Sequence, residues 1–213
     1  VRRLMLRGLG TCAPRVRRVE EMMAFLDAQK AWRGAGIAYL QGDASTRSYA
    51  RLTAGGATVL LVDAPRQPDG PPIRDGRPYS RLAHLAEDVR PFVAIAAALR
   101  PSGLSVPEVL ACDLQKGILL VEDLGDRVFG AEVARGADQE QLWRSAVDAL
   151  LHLRGVPVPK SLPLPDGTSY ELPRRDRAAF EIEIELLLDW LWPALKGEPA
   201  PDSVRTEFGR LWM

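Results

Sequence analysis

The stretch Gly42-Asp43-Ala44-Ser45-Thr46-Arg47-Ser48-Tyr49 has the residue types of an anion cradle. A loop of small residues between two antiparallel strands can turn successive backbone N–H groups toward a polyphosphate. Ser45 and Thr46 add hydroxyl donors, and Arg47 adds a delocalised cation that can fork onto two oxygens. The same residues also suit an ordinary polar hairpin turn, where Asp and Ser are common. A second candidate, Leu119-Leu120-Val121-Glu122-Asp123-Leu124-Gly125-Asp126, reads as a buried strand entering an acidic turn. Many buried strands end that way, so neither stretch identifies a function by itself.

Other chemically suggestive residues admit plainer readings. Gly8-Leu9-Gly10-Thr11-Cys12-Ala13 fits the G-x-G-x-x-G/A spacing that lays a pyrophosphate on a helix N-terminus. That fingerprint asks for an acid closing a second parallel strand about 20 residues later. Asp27 falls instead on an amphipathic helix, and no parallel βαβ pattern follows. No G-x-x-x-x-G-K-[ST] loop occurs. His84 and His152 lack neighbours that would make them bases, and their sequence contexts place them on helix surfaces or at packed boundaries. Glu181, Glu185 and Asp189 recur at i, i+4 spacing. Such a row is either a negative wall beside a substrate pocket or a solvated face paired with Arg174, Arg175 and Arg177, and charge runs on helices usually face water.

These residues need elements to hold them. A helix is predicted over 19–29, with Met22, Met23, Phe25 and Leu26 near one face. It is preceded by a basic segment with a short strand-like apolar stretch at 4–6. Strands are predicted at 37–40, 47–53 and 58–63, the last two joined through Gly55-Gly56. Residues 65–78 read as loop. Leu82, Leu85 and Val89 have helical spacing, and Pro91 is placed to restart a helix carrying Phe92, Ile95, Ala96 and Leu99. A second antiparallel pair is expected at 107–114 and 117–122. Helices then dominate: one opened by Asp138 with Gln141 and stopped by Gly155, a long one over 176–195, and another from 204. A proline-rich linker fills 156–173.

Composition adds bounds. The 213 residues are 46% hydrophobic and 26% charged with zero net charge, ordinary values for a globular protein. Nothing global therefore points to nucleic acid or to an anionic membrane. Cys12 and Cys112 are too few for a disulfide framework, which fits a reducing cytoplasm. Of the 28 basic residues only Lys30, Lys116, Lys160 and Lys196 are lysines.

Taken together and in order, the motifs are specific. Gly42-Asp43-Ala44-Ser45-x-Arg47-x-Tyr49-x-Arg51-Leu52, Val62-Asp63-Ala64-Pro65, Arg90-Pro91-Phe92, Gly103-Leu104-Ser105-Val106-Pro107-Glu108 and Glu122-Asp123-Leu124-Gly125-Asp126 resemble aminoglycoside-phosphotransferase-type kinases. Within them the chain is most similar to the anomeric kinases of N-acetylmuramate and N-acetylglucosamine. The resemblance runs from about Ala35 onward. In alphaproteobacterial relatives such kinases are often fused behind the ATPase subunit of the tRNA threonylcarbamoyladenosine machinery, and residues 1–18 look like the tail of that domain.

The resemblance implies an α+β, protein-kinase-like fold. A five-stranded antiparallel N-lobe with one main helix would span 37–124, reached through a connecting helix at 19–36. An incomplete helical C-lobe would follow at 125–213. It implies ATP and Mg²⁺ as cofactors and an amino-sugar acceptor. Asp43, Ala44, Ser45, Thr46 and Arg47 would hold phosphates. Backbone groups near Glu122, Asp123 and Leu124 would meet the adenine edge, with Val62 against the ring. Protein kinases place a phosphate-pairing lysine on the third strand, and 59–63 has none. That leaves Arg47, ahead of Arg51, as the candidate cation. The family's catalytic Asp and metal-holding Asn and Asp are expected beyond residue 213, so the chain as it stands is expected not to turn over. A non-catalytic nucleotide-binding or regulatory module, an interaction role beside the ATPase, and an aminoglycoside acceptor stay open as alternatives.

Overall fold

The computed structural model describes residues 2–41 and 47–212, without the side chains of residues 2–14. The elements in chain order are α1 (Arg2–Ala28), β1 (Gly36–Tyr39), β2 (Ser48–Ala54), β3 (Ala57–Asp63), β4 (Pro72–Arg74), β5 (Arg77–Pro78), α2 (Tyr79–Leu82) and α3 (Arg90–Leu99). They continue with β6 (Val109–Asp113), β7 (Ile118–Glu122), α4 (Phe129–Ala134), α5 (Gln139–Arg154), β8 (Ser161–Pro163), β9 (Ser169–Glu171), α6 (Arg177–Leu186), α7 (Trp192–Lys196) and α8 (Asp202–Leu211). The chain divides into two compact units, residues 1–66 with 88–171 and residues 67–87 with 172–213.

The first unit is built on a five-stranded sheet in the order β1-β2-β3-β7-β6, antiparallel throughout. The expected five-stranded antiparallel sheet of an α+β fold is therefore present. Gly55 and Gly56 both adopt positive φ, +58° and +83°, which closes β2 onto β3 through a two-residue turn. The central strands are Val- and Leu-rich because both of their faces are covered. On one face lies α1: Met22 and Leu26 pack against Ala50, Leu52, Val59, Leu61, Ile118 and Leu120. Burying each large side chain of such a cluster stabilises by about 1.5–3 kcal/mol.

An ion pair sets where α1 crosses the sheet. Arg18 Nε and Nη2 donate to Asp63 Oδ1 at 2.8 and 2.6 Å, and Nη1 donates to Glu21 at 3.0 Å. The helix expected to start near residue 19 already runs from Arg2, so the stretch at 4–6 is helical rather than strand-like. Arg, Leu and Met are strong helix formers, and three apolar residues cannot separate the two periods.

Pro91 sits in the first turn of α3, as expected, and Asp88 Oδ1 accepts from the Arg90 backbone N–H at 2.9 Å. The spacing of Leu82, Leu85 and Val89 does not make a helix. α2 ends at Leu82, and His84 takes a left-handed φ of +52° while Leu85 N–H closes onto Ser80 O. Asp138 Oδ1 accepts from Glu140 and Gln141 N–H, capping α5 as its sequence position implied. The stretch 156–173 is more than linker, for β8 and β9 form a hairpin in it.

In the second unit, part of the stretch read as loop at 65–78 forms the β4–β5 hairpin, turned by Asp75 and Gly76 at positive φ. The helix expected over 176–195 is α6 and α7 with a π-helical passage at Leu187–Leu191 between them. Its acids are all paired: Glu181 with Arg177, Glu185 with Arg74 and Asp189 with Arg205. The row is thus a neutralised face. Only Arg177 among these partners was legible from helix spacing.

Candidate functional site

Strand alternation gives the sheet two faces with different work. The residues that meet α1 are Ala50 and Leu52 of β2, Val59 and Leu61 of β3, and Ile118 and Leu120 of β7. The opposite parity presents Tyr49, Leu60, Val62, Leu119 and Val121 to a cavity of about 240 Å³. Asp88, Val89 and Phe92, at the start of α3, form another wall with Pro107. Glu122, Leu124 and Gly125 close one end, and Arg47 and Ala64 also line the space.

The register separates the two ends. Glu122 pairs with Val59, whereas Ser48, next to Arg47, pairs with Asp63. Val59 and Asp63 are four positions apart on β3, roughly 13 Å at the usual rise along a strand. The cavity therefore has an apolar floor, backbone of the β7 end on one side and a guanidinium toward the other.

Several contacts fix the walls. Ala64 N–H donates to Gly117 O at 2.9 Å, joining the end of β3 to the β6–β7 turn. Glu122 and Glu108 bond twice, through Glu122 N–H to Glu108 O at 2.8 Å and Glu108 N–H to Glu122 Oε2 at 3.1 Å. Asp88 Oδ2 accepts from Arg90 Nη1 at 2.8 Å, so its charge is balanced within its own turn. Asp123 is different: its side chain is only 4% exposed and turns to Arg51 rather than into the cavity. Hydrogen bonding from Arg51, outweighing burial, holds the Asp123 carboxyl below the usual carboxylate range.

Of the residues singled out in the sequence, Arg47, Val62, Glu122 and Leu124 converge on this cavity. Asp43, Ala44, Ser45 and Thr46 lie outside the described residues. Tyr49, Leu119 and Val121 stood in the candidate stretches without an assigned role and Leu60 was not named, although all four share strand parity with Val62 across the ladder. Phe92 and Pro107 stood in the resembling motifs without a site role, Val89 was read only for its helical spacing and Asp88 was not named; the fold around α3 brings them to the cavity. His152 Nε2–H donates to Ser102 O at 2.6 Å, and His84 stands 3.6 Å from Asp176 in the turn after α2. Neither lines the cavity. Among the described residues no group of three or more His, Cys, Asp and Glu side chains is placed to hold a metal ion.

The end of β7 and the start of α3 thus close an apolar slot under a five-stranded antiparallel sheet, and the sequence that builds it matches a known family over most of the chain. The family described as "Phosphotransferase enzyme family" aligns with residues 36–209. The chain belongs to this family. Curated members resemble it in sequence as well. It is 38% identical over 160 residues to an N-acetylmuramate/N-acetylglucosamine kinase of Caulobacter vibrioides, covering 71% of this chain and 44% of that protein. It is 33% identical over 148 residues to the protein of that description from Pseudomonas aeruginosa, covering 70% and 35%. The counterpart from Pseudomonas putida is 30% identical over 183 residues, covering 81% and 45%. The chain thus spans less than half the length of these curated relatives.

Proposed function

We propose that the cavity under the sheet holds the nucleotide of an ATP-dependent phosphotransferase whose acceptor is a hydroxyl of an amino sugar such as N-acetylmuramate or N-acetylglucosamine. The observation that carries this reading is the separation of the cavity's ends along β3. A base lies flat against Leu60, Val62, Leu119 and Val121 and presents its polar edge to backbone groups at Glu122 and Leu124. The phosphates then extend toward Arg47, with Asp43, Ala44, Ser45 and Thr46 as further phosphate contacts. Arg47 is the cation of choice because β3 carries no lysine.

Phosphoryl transfer asks a protein mainly for positioning and charge stabilisation. These residues would supply the donor's share: an apolar clamp that fixes the base and a guanidinium that orients the phosphates. Mg²⁺ would neutralise phosphate charge when bound. The reaction would run in the cytoplasm, where ATP is available. The relatives' descriptions support an amino-sugar acceptor.

Titration calorimetry with ATP tests the reading. ATP at 100 times its dissociation constant should also raise the unfolding free energy by about 2.7 kcal/mol. No heat and no shift in the melting temperature with ATP would overturn it. Incubating ATP with N-acetylmuramate, N-acetylglucosamine and an aminoglycoside in turn tests the expectation of no turnover, which phosphorylation of any of them would overturn.

A further inference from the structure

Arg51 is placed to shape the cavity without lining it. It lies on β2 with the parity of Tyr49, on the cavity face, and its register neighbour is Leu60. From there its side chain reaches the segment after β7. Nε donates to Asp123 Oδ2 at 2.6 Å and Nη2 to Asp123 Oδ1 at 3.2 Å. The far edge of the guanidinium takes Asp126, Nη1 to Oδ2 at 3.1 Å and Nη2 to Oδ1 at 2.8 Å. Asp123 Oδ1 also accepts from Gly125 N–H at 3.0 Å.

One guanidinium thus grips two carboxylates that bracket Leu124 and Gly125, both of which line the cavity. All five of its donors lie in one plane, so the fork fixes the segment's orientation as well as its distance. Asp123 is nearly buried, whereas Asp126 is 77% exposed. The inner arm therefore carries the stronger constraint, and the outer arm is partly screened by water.

We infer that Arg51 is a positioning residue for the base end of the nucleotide site, holding the backbone of residues 122–125 where a base edge can bond to it, and that it is not a phosphate-binding cation. This rests on the nucleotide reading above. Both carboxylates already occupy the guanidinium, so a polyphosphate would have to displace them to reach it.

The test is calorimetric titration of ATP, adenosine and inorganic tripolyphosphate into the full chain and into Arg51→Met, which keeps an apolar stem. Amide exchange at Gly125 is followed in parallel. For Arg51→Met the expected result is about fivefold weaker binding of both ATP and adenosine, the size of one net hydrogen bond, with tripolyphosphate unchanged. Gly125 should exchange faster in the variant, and Arg51→Lys should recover only part of the loss, because an ammonium cannot span both carboxylates.

Equal losses for ATP and tripolyphosphate would overturn the inference by making Arg51 a phosphate contact. Unchanged ATP and adenosine affinity would overturn it by leaving the pair purely structural. If the unaltered chain binds none of the three ligands, the nucleotide reading itself fails, a result seen without any variant. Should Arg51→Met not fold, Asp126→Ala removes only the outer arm and should show the same split, base weakened and tripolyphosphate unchanged; a uniform or absent effect there counts against the inference.

Discussion

Gly117 and Ala64 approach so closely that a single added carbon would not fit. Gly117 has φ +66°, and a Cβ built on it would lie 2.9 Å from the Ala64 carbonyl carbon and closer still to its oxygen. Gly117 O in turn accepts from Ala64 N–H. Left-handed backbone alone costs a residue with a side chain about 1–3 kcal/mol. Gly117→Ala should lose at least that much in urea-induced unfolding. Because Ala64 lines the cavity, ATP affinity should fall with it.

The pair Arg18–Asp63 should matter far more than the pair Arg144–Glu140. The first has both side chains 18% exposed and joins α1 to β3, whereas the second lies on one exposed helix face. Arg18→Met is expected to cost about 1–3 kcal/mol, the range for hydrogen bonds to charged groups. Arg144→Ala should fall within about 0.5 kcal/mol of the parent. Chemical denaturation of both variants checks the contrast.

Acid should weaken the protein partly through Asp123. Arg51, by hydrogen bonding, lowers the pKa of both Asp123 and Asp126. A carboxylate whose folded value is depressed contributes stability that is fully present above its unfolded pKa of about 3.9 and is lost as the pH falls through the lower folded value. Melting temperature measured from pH 5 downward should therefore drop less steeply for Asp123→Asn than for the parent, whose stability at pH 5 should be the higher of the two. Parallel curves would contradict this.

Arg47 and Arg51 should separate by ligand. Arg47→Ala is expected to weaken ATP and tripolyphosphate about tenfold, the loss of a charge-assisted hydrogen bond, while leaving adenosine unchanged. Its effect on ATP should exceed that of Arg51→Ala. Equal effects of the two substitutions on ATP would remove Arg47 from its assigned place.

Helix α5 offers a local check. Asp138→Ala removes the acceptor for Glu140 and Gln141 N–H and should destabilise by about 1 kcal/mol.

The five strands, the Gly55-Gly56 turn, the restart at Pro91 and the Asp138 cap were legible in the residues themselves. Each is a local event, set by alternation, by glycine's access to positive φ, by proline's missing N–H or by a carboxylate next to free amides. Alternation also puts Val62 on the cavity face, whereas Glu122 and Leu124 were singled out by the resemblance of the motif in which they stand. What local rules could not supply was partner choice. Arg51 read as a spare cation until the fold brought Asp123 and Asp126 across the sheet to it. The helical spacing of Leu82, Leu85 and Val89 gave way to a turn at His84, and the acid row on α6 found Arg74 and Arg205 from distant segments. Charge pairing depends on which side chains tertiary packing makes neighbours, and periodicity along one segment holds no record of that.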